Sequence, residues 1–145
     1  MEQANTAEKY FKLQALLMLL PLTICVTSVI AMIAEHETGL AVLMAVLFSP
    51  VLGAFVFFTY QAIYYRRVEL TDIQTVKLDG MRTFGAWNLA GFEIKVVRGG
   101  REEYAATKRV FVSGGIINLT PLADYAGKYK RVGYNAKRDE WIVLV

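Results

Sequence analysis

Two long apolar stretches dominate the N-terminal part of the chain. Residues Leu13–Ala34 and Thr38–Tyr65 contain no Asp, Glu, Lys, Arg or His, and they are 22 and 28 residues long. At about 1.5 Å of rise per residue, a helix of either length crosses a hydrocarbon core of roughly 30 Å. Only a Glu-His-Glu turn separates them. The pattern predicts a transmembrane helical hairpin at residues 13–65, with helices at about 13–34 and 40–65.

The cations that flank this hairpin all fall on one side of it. Lys9 and Lys12 precede the first helix, in a predicted N-terminal segment at residues 1–12, and Arg66 and Arg67 follow the second helix. Because positive residues beside membrane segments tend to stay in the cytoplasm, we expect both termini inside, in the cytoplasmic (inner or plasma) membrane. A signal peptide cleaved near Ala31 is the rival interpretation of the first stretch.

Aromatic residues are clustered at the same end of the predicted hairpin. Tyr10 and Phe11 lie at the start of the first stretch, and Tyr60, Tyr64 and Tyr65 lie at the end of the second. Tyr and Trp are enriched at the boundary between lipid and water. The sequence therefore predicts an aromatic belt at the inner interface.

Each predicted helix carries a stripe of small or hydroxylated residues. In lipid, close helix contact depends on small side chains, because burying apolar surface gains little against lipid tails. We therefore expect these stripes to pack against each other or against a partner subunit. The stripe residues are Thr23, Thr27 and Ala31 in the first helix, and Ala41, Ala45, Ser49 and Gly53 in the second.

Each helix also contains a proline, Pro21 or Pro50. A proline inside a helix removes a backbone donor and favours a kink, so both positions are predicted kinks. Neither span contains an ionisable acid or base of the kind that proton relays and ion pathways use. This absence argues against a pump formed by this chain alone, although a channel built from several hairpins stays open as a third interpretation.

From residue 66 the pattern changes to short β-type runs separated by glycine. Phe92, Ile94 and Val96 alternate with Glu93 and Lys95, which is typical of a half-buried strand. Gly99-Gly100, Ser113–Gly115 and Asn135–Asp139 are turn signals. The predicted strands are Val68–Leu70 with Ile73–Asp79, Phe92–Val97, Glu102–Thr107 with Val110–Val112, Ile116–Leu119, Lys128–Tyr134 and Glu140–Val145.

A single short helix is predicted at Thr120–Gly127, with Thr120 as its cap and Pro121 in its first turn. Strands, a short helix and two further strands are typical of small antiparallel barrels, either of the OB type or of the SH3-like type. The predicted fold class is therefore α+β: a membrane hairpin followed by a small β-barrel-like cytoplasmic domain at residues 66–145. The apolar run Trp141–Leu144 predicts a last strand that is buried on both faces.

Charge gives this domain one distinctive surface feature. Residues 66–145 hold 14 Lys and Arg against 9 Asp and Glu, a net charge of +5. A basic domain beside a membrane is suited to anionic lipid headgroups or to an acidic partner, whereas nucleic acid is not expected. The candidate contact residues are Arg66, Arg67, Lys128, Lys130, Arg131, Lys137 and Arg138.

Residue types restrict the chemistry that the chain could perform. It has one cysteine, Cys25, and one histidine, His36, and both lie in the hairpin region. A zinc-type site or a nucleophile–histidine arrangement needs more groups than these. No glycine-rich phosphate loop is present. We therefore predict no catalytic, metal or cofactor site.

The expected function is that of a non-enzymatic accessory or scaffold subunit of a membrane complex. Its hairpin would pack laterally against other subunits or a second copy, and its β domain would dock cytoplasmic partners or anionic lipid. An immunity or exclusion protein that binds a toxin or phage component is the alternative, because its size and hairpin fit equally well.

Overall fold

The computed structural model describes residues 6–84, 89–111 and 125–144. Two helices are followed by strands, so the chain has an α+β architecture. It divides into two compact units: the hairpin unit, Phe11–Ala62, and the β unit, which comprises the described residues before Phe11 and after Ala62. The elements are α1 Thr6–Ala34, α2 Thr38–Arg67, β1 Thr71–Lys77, β2 Asp79–Phe84, β3 Leu89–Arg98, β4 Arg101–Phe111, β5 Tyr129–Asn135 and β6 Glu140–Val143.

The two predicted helices are both present. By length and composition α1 and α2 are each long and apolar enough to cross a membrane. The sequence prediction placed the start of the first helix at residue 13, but α1 begins at Thr6. The polar residues before position 13 therefore continue the helix, because Lys and Glu are good helix formers.

Neither proline interrupts its helix. Pro21 and Pro50 both lie inside continuous helices. Pro50 cannot donate to the carbonyl of Val46, four residues earlier. The Ser49 hydroxyl instead donates to that carbonyl at 2.8 Å. The backbone group freed by Pro50 is thus satisfied by the preceding side chain, while the kinks themselves stay predictions.

The strands form two antiparallel groups, β1-β5-β6 and β4-β3-β2, joined by a single parallel pair between β4 and β6. The two ends of this order, β1 and β2, are separated in sequence only by Leu78. Leu78 donates to the Lys128 carbonyl at 3.0 Å and accepts from the Gly127 amide at 2.7 Å. Among the described residues, chain connectivity and not a hydrogen-bonded ladder therefore links these two ends, and the predicted barrel is not closed. The finer choice between OB and SH3-like topology stays a prediction.

The core of the β unit lies under β1, β3, β5 and β6. Phe92, Ile94 and Val96 are buried while Glu93 and Lys95 are exposed, which confirms the predicted alternation in β3. All residues of β6 are buried, as the apolar run predicted. The core cluster consists of Val76, Leu78, Phe92, Ile94, Val96, Val132, Tyr134, Trp141 and Val143.

The Gly99-Gly100 turn is confirmed as a hairpin connection. Arg98 pairs with Arg101 across it, and both glycines have positive φ, at 56° and 79°. A two-residue loop of this kind matches the twist of the flanking strands only with positive φ at both positions, which glycine adopts without strain. The Asn135–Asp139 turn is likewise present between β5 and β6.

The strand prediction missed β2 and placed a strand at Val68–Leu70 that is absent. β2 carries Gly80 at φ 56° beside a register shift, so its polar, glycine-containing sequence obscures the β pattern. The predicted strand at Ile116–Leu119, the Ser113–Gly115 turn and most of the Thr120–Gly127 helix lie outside the described residues. The end of that segment, from Tyr125 to Gly127, is a turn.

Candidate functional site

The predicted packing stripes lie mostly at the surface of the hairpin unit. Ala41 is buried. The remaining members are exposed in the single chain, so the stripes do not pack against each other within it; packing against a partner stays a prediction. The exposed members are Thr23, Thr27, Ala31, Ala45, Ser49 and Gly53.

The hydroxyl groups of these stripes bond within their own helices. Thr23 donates to the Leu19 carbonyl at 2.7 Å, and Thr27 donates to the Thr23 carbonyl at 2.9 Å. Ala45 and Ser49 line an apolar cavity of 280 Å³ between α1 and α2. The small residues thus border open apolar space.

A buried polar cluster lies in the β unit, where the end of α2 meets the turn between β5 and β6. The Tyr65 hydroxyl donates to Glu140 Oε1 at 2.9 Å, and Asn135 Nδ2 donates to the same oxygen at 2.9 Å. Tyr65 is 1% exposed and Glu140 is 6% exposed. Asn135 Nδ2 also donates to the Tyr64 hydroxyl at 3.1 Å. A buried carboxylate needs such donors, because leaving it unpaired would be costly.

Arg138 completes this tyrosine–glutamate cluster. Its guanidinium carbon lies 3.8 Å from the centre of the Tyr64 ring, and Nη1 donates to the Tyr65 hydroxyl at 3.3 Å. Burial alone would lower the pKa of Arg138, but the hydrogen bond to Tyr65 and the attraction of Tyr65, Tyr64 and Glu140 raise it overall. The sequence prediction gave Arg138 as a candidate contact residue at the surface; in the structure its guanidinium lies over the half-buried Tyr64 ring and near the buried Tyr65, where a planar guanidinium stacks well.

Three tyrosines of the predicted aromatic belt, Tyr10, Tyr64 and Tyr65, are part of the β unit. Tyr65 is buried and hydrogen-bonded to Glu140, and Tyr64 lies under Arg138. Tyr60, in contrast, is exposed. The sequence could not reveal this difference, because the partners of Tyr64 and Tyr65 are more than 70 positions away in the chain.

The other predicted basic residues remain at the surface. Lys128, Arg131 and Lys137 are exposed, as are Arg66 and Arg67 in the last turn of α2. Cations at a helix C-terminus interact favourably with the helix dipole, so these two arginines also stabilise α2 locally.

Lys130 has a different environment from its exposed neighbours. It is half-buried, and its ammonium group lies 5.2 Å from the centre of the Tyr125 ring. A cation this close to an aromatic face is attracted to the ring electrons. Lys130 is therefore partly engaged inside the β unit, and Lys128 and Arg131 on either side of it are the exposed members of the basic cluster.

A cleft of 380 Å³ opens between β1 and β3. Two exposed tyrosines, Tyr104 and Tyr129, lie at its sides, and Lys77 and Lys95 lie between them. Lys95 donates to Glu102, and this hydrogen bond, followed by the attraction of the carboxylate, raises the pKa of Lys95. No sequence pattern indicated this cleft, because it depends on how β1 and β3 separate.

Among the described residues, no group of three or more His, Cys, Asp and Glu is placed to hold a metal ion. Comparisons of the chain with protein-family models, with curated proteins and with solved structures return no match. The protein is thus a two-unit α+β chain with two apolar helices of membrane-spanning length and antiparallel β strands.

Proposed function

We propose that this protein is a non-enzymatic accessory or scaffold subunit of a membrane complex, held in the cytoplasmic membrane with both termini inside. The hairpin packs laterally against other subunits or a second copy. The β unit docks cytoplasmic partners or anionic lipid headgroups.

One observation carries this proposal: the small-residue face of the hairpin is left uncovered within the chain. Ala45, Ser49 and Gly53 are exposed. A Cβ added to Gly53 would meet no atom of the described residues within 4 Å, so no contact among those residues requires a glycine there. Small residues that a chain does not use for its own packing are suited to close approach of another helix.

The surface of the β unit supports the second half of the proposal. Lys128, Arg131 and Lys137 present positive charge on and beside β5. A basic residue near an anionic leaflet contributes about 1 kcal/mol to membrane association. The orientation with both termini inside follows from the cations at residues 9, 12, 66 and 67 and the absence of Lys and Arg in the turn between the helices.

Purification of the full chain in mild detergent tests the proposal. We expect the protein to run as an oligomer or to retain stoichiometric membrane subunits. The matched variants are Ala45→Leu with Gly53→Leu, which fill the small-residue face, and Val46→Leu, which changes an exposed position outside the stripe. Loss of association only in the first pair supports the proposal, and a lone monomer without retained subunits overturns it.

Cysteine labelling tests insertion and orientation separately. In a Cys25→Ser background, His36→Cys would lie in the outer turn and Tyr104→Cys in the cytoplasm. We expect an impermeant maleimide to label position 36 in intact cells and position 104 only after permeabilisation. The reverse pattern would contradict the orientation, and equal labelling of both without permeabilisation would contradict insertion.

A further inference from the structure

The cleft between β1 and β3 has the features of a peptide-binding site. It lies where the chain leaves β1, passes Leu78 and enters β2, so that β2 pairs with β3 while β1 pairs with β5. Val76 and Ile94 form its apolar floor. Its volume of 380 Å³ falls at the lower end of the roughly 300–1,000 Å³ of typical ligand sites, which suits a few residues of chain.

Two matching cross-strand pairs form the sides of the cleft. Tyr104 on β4 lies opposite Lys95 on β3, and Tyr129 on β5 lies opposite Lys77 on β1. The cleft is thus bordered in the order Tyr, Lys, Lys, Tyr. Tyr104 is 85% exposed and Tyr129 is 70% exposed. Exposed tyrosines are enriched in surfaces that bind proteins, because the ring offers apolar area and the hydroxyl offers a hydrogen bond.

Backbone groups of β1 point into this cleft. Leu78 directs both its N–H and its C=O towards the residues before β5. Along an antiparallel strand these groups alternate from one edge to the other. The N–H and C=O groups of Val76 therefore point towards β5. Those of Thr75 and Lys77 point away from β5 and towards β3.

Backbone groups of β3 point into the cleft from the other side. Val97 uses its N–H and C=O to bond the side chain of Gln74 on β1. By the same alternation Lys95, two residues earlier, directs its N–H and C=O to the same edge. Among the described residues β1 and β3 share no ladder pairing, so this edge of Lys95 is open to an amide group.

The Gln74 side chain shows that the backbone at this edge of β3 forms hydrogen bonds with an amide group. Its Oε1 accepts from the Val97 N–H at 2.8 Å, and its Nε2 donates to the Val97 C=O at 3.3 Å. A carboxamide has the same donor and acceptor groups as a peptide bond. The Gln74 carboxamide thus pairs with the backbone of Val97. A backbone amide of another chain would pair with the backbone of Lys95 in the same way.

The charges at the cleft favour a peptide over a phosphate-bearing ligand. Lys77 is 3.4 Å from Asp79, Lys95 donates to Glu102, and Arg82 pairs with Glu93 at 3.0 Å. Each cation already has a carboxylate. A nucleic acid would need cations in excess for its backbone, whereas an uncharged segment of chain would not.

We propose that the β1–β3 cleft binds a short, extended and uncharged segment of a partner protein. One amide of this segment pairs with the backbone of Lys95, and its side chains pack on Tyr104 and Tyr129. Strand edges commonly bind peptides in this manner, with main-chain bonds for affinity and side-chain contacts for specificity. This inference rests on the proposed partner-docking role of the β unit and names the chemistry of the partner.

A phage-displayed library of uncharged seven-residue peptides, selected against the full chain in detergent micelles, tests the inference. The selected peptides should bind the native protein and bind Tyr104→Ala with Tyr129→Ala about tenfold more weakly or worse, as expected for central aromatic residues. Tyr60→Ala, at another exposed tyrosine, should leave binding unchanged. Because both cleft tyrosines are largely exposed, their removal should leave the fold intact, which circular dichroism checks.

A nuclear magnetic resonance titration locates the peptide. The amide signals of Thr75, Lys77 and Lys95 should shift, because their N–H groups point into the cleft. Failure to select any binder, or equal binding to the double variant, overturns the inference. Binding of oligothymidylate or of phosphatidylglycerol vesicles that the double variant abolishes would also overturn it, in favour of a phosphate ligand.

The same double variant separates this inference from the proposed function. If the native complex still co-purifies with Tyr104→Ala and Tyr129→Ala, and no peptide binds, the cleft is not the docking site but the scaffold role stands. If peptides bind the cleft and the chain runs as a lone monomer in detergent, the scaffold role fails and the cleft remains a binding site.

Discussion

The Tyr65 hydroxyl donates a hydrogen bond of 2.9 Å to Glu140 Oε1, across 75 positions of the chain. Both residues belong to the β unit, and both are buried. This contact joins the last turns of α2 to the first residue of β6. The end of a helix whose length and composition suit a membrane is thus anchored by polar contacts in the β unit.

Tyr65→Phe should destabilise the β unit by about 1–3 kcal/mol. The substitution removes a donor from a buried carboxylate and an acceptor from Arg138, and unpaired buried groups cost about this much. Thermal unfolding in detergent, followed by circular dichroism, measures the effect. Tyr60→Phe, at an exposed position, should change the stability by less than about 0.5 kcal/mol.

A double-mutant cycle with Glu140→Gln identifies the contact responsible. Residues in direct contact usually couple by about 0.5–3 kcal/mol. We therefore expect the double variant to be less destabilised than the sum of the two single variants. Additive effects would mean that Tyr65 acts through packing alone.

Gly133→Ala should destabilise the β unit by about 1–3 kcal/mol through overpacking. A Cβ at this position would lie 2.9 Å from the Cβ of Leu70, closer than real Cβ atoms come. Denaturant unfolding of the full chain measures the loss. Leu70→Gly, which removes that Cβ, should partly restore the stability of Gly133→Ala, and a combined loss equal to the sum would contradict the proposed clash. Gly39→Ala is the control, since an added Cβ there meets no atom within 4 Å.

Gln74→Met should weaken the link between β1 and β3 while keeping the side-chain volume. It removes both hydrogen bonds to Val97, for a cost of about 1 kcal/mol. Amide hydrogen exchange at Val97 should then accelerate about fivefold, because that N–H loses its acceptor, Gln74 Oε1. Exchange at Val132, in the core and paired with Gln74 on the other edge of β1, should change less. An unaltered Val97 rate would show that its protection comes from elsewhere.

Arg131→Glu should reduce binding of the protein, in neutral-lipid nanodiscs, to added phosphatidylglycerol vesicles. Reversing one exposed cation removes about 1 kcal/mol of attraction and adds a repulsion of similar size. Vesicle co-flotation at low salt measures the effect, which should shrink at high salt. Arg101→Glu makes the same charge change at the exposed first residue of β4. Equal losses in both variants would mean that only net charge matters.

Several features of the fold could be predicted from local pattern alone. The apolar length of α1 and α2, the alternation of Phe92, Ile94 and Val96, and the Gly99-Gly100 turn each depend on neighbouring residues. Local sequence determines such elements because their hydrogen bonds and exposure patterns repeat within a few positions.

Only the tertiary structure decided the rest. Tyr65 and Tyr60 look alike in the sequence, yet one is buried against Glu140 and the other is exposed. The cleft beside Lys95 exists because the chain turns at Leu78 from one strand partner to another. These features come from contacts between residues far apart in sequence, where burial and pairing outweigh local preference. The sequence by itself determined the helices and most strands; the fold decided which polar residues meet.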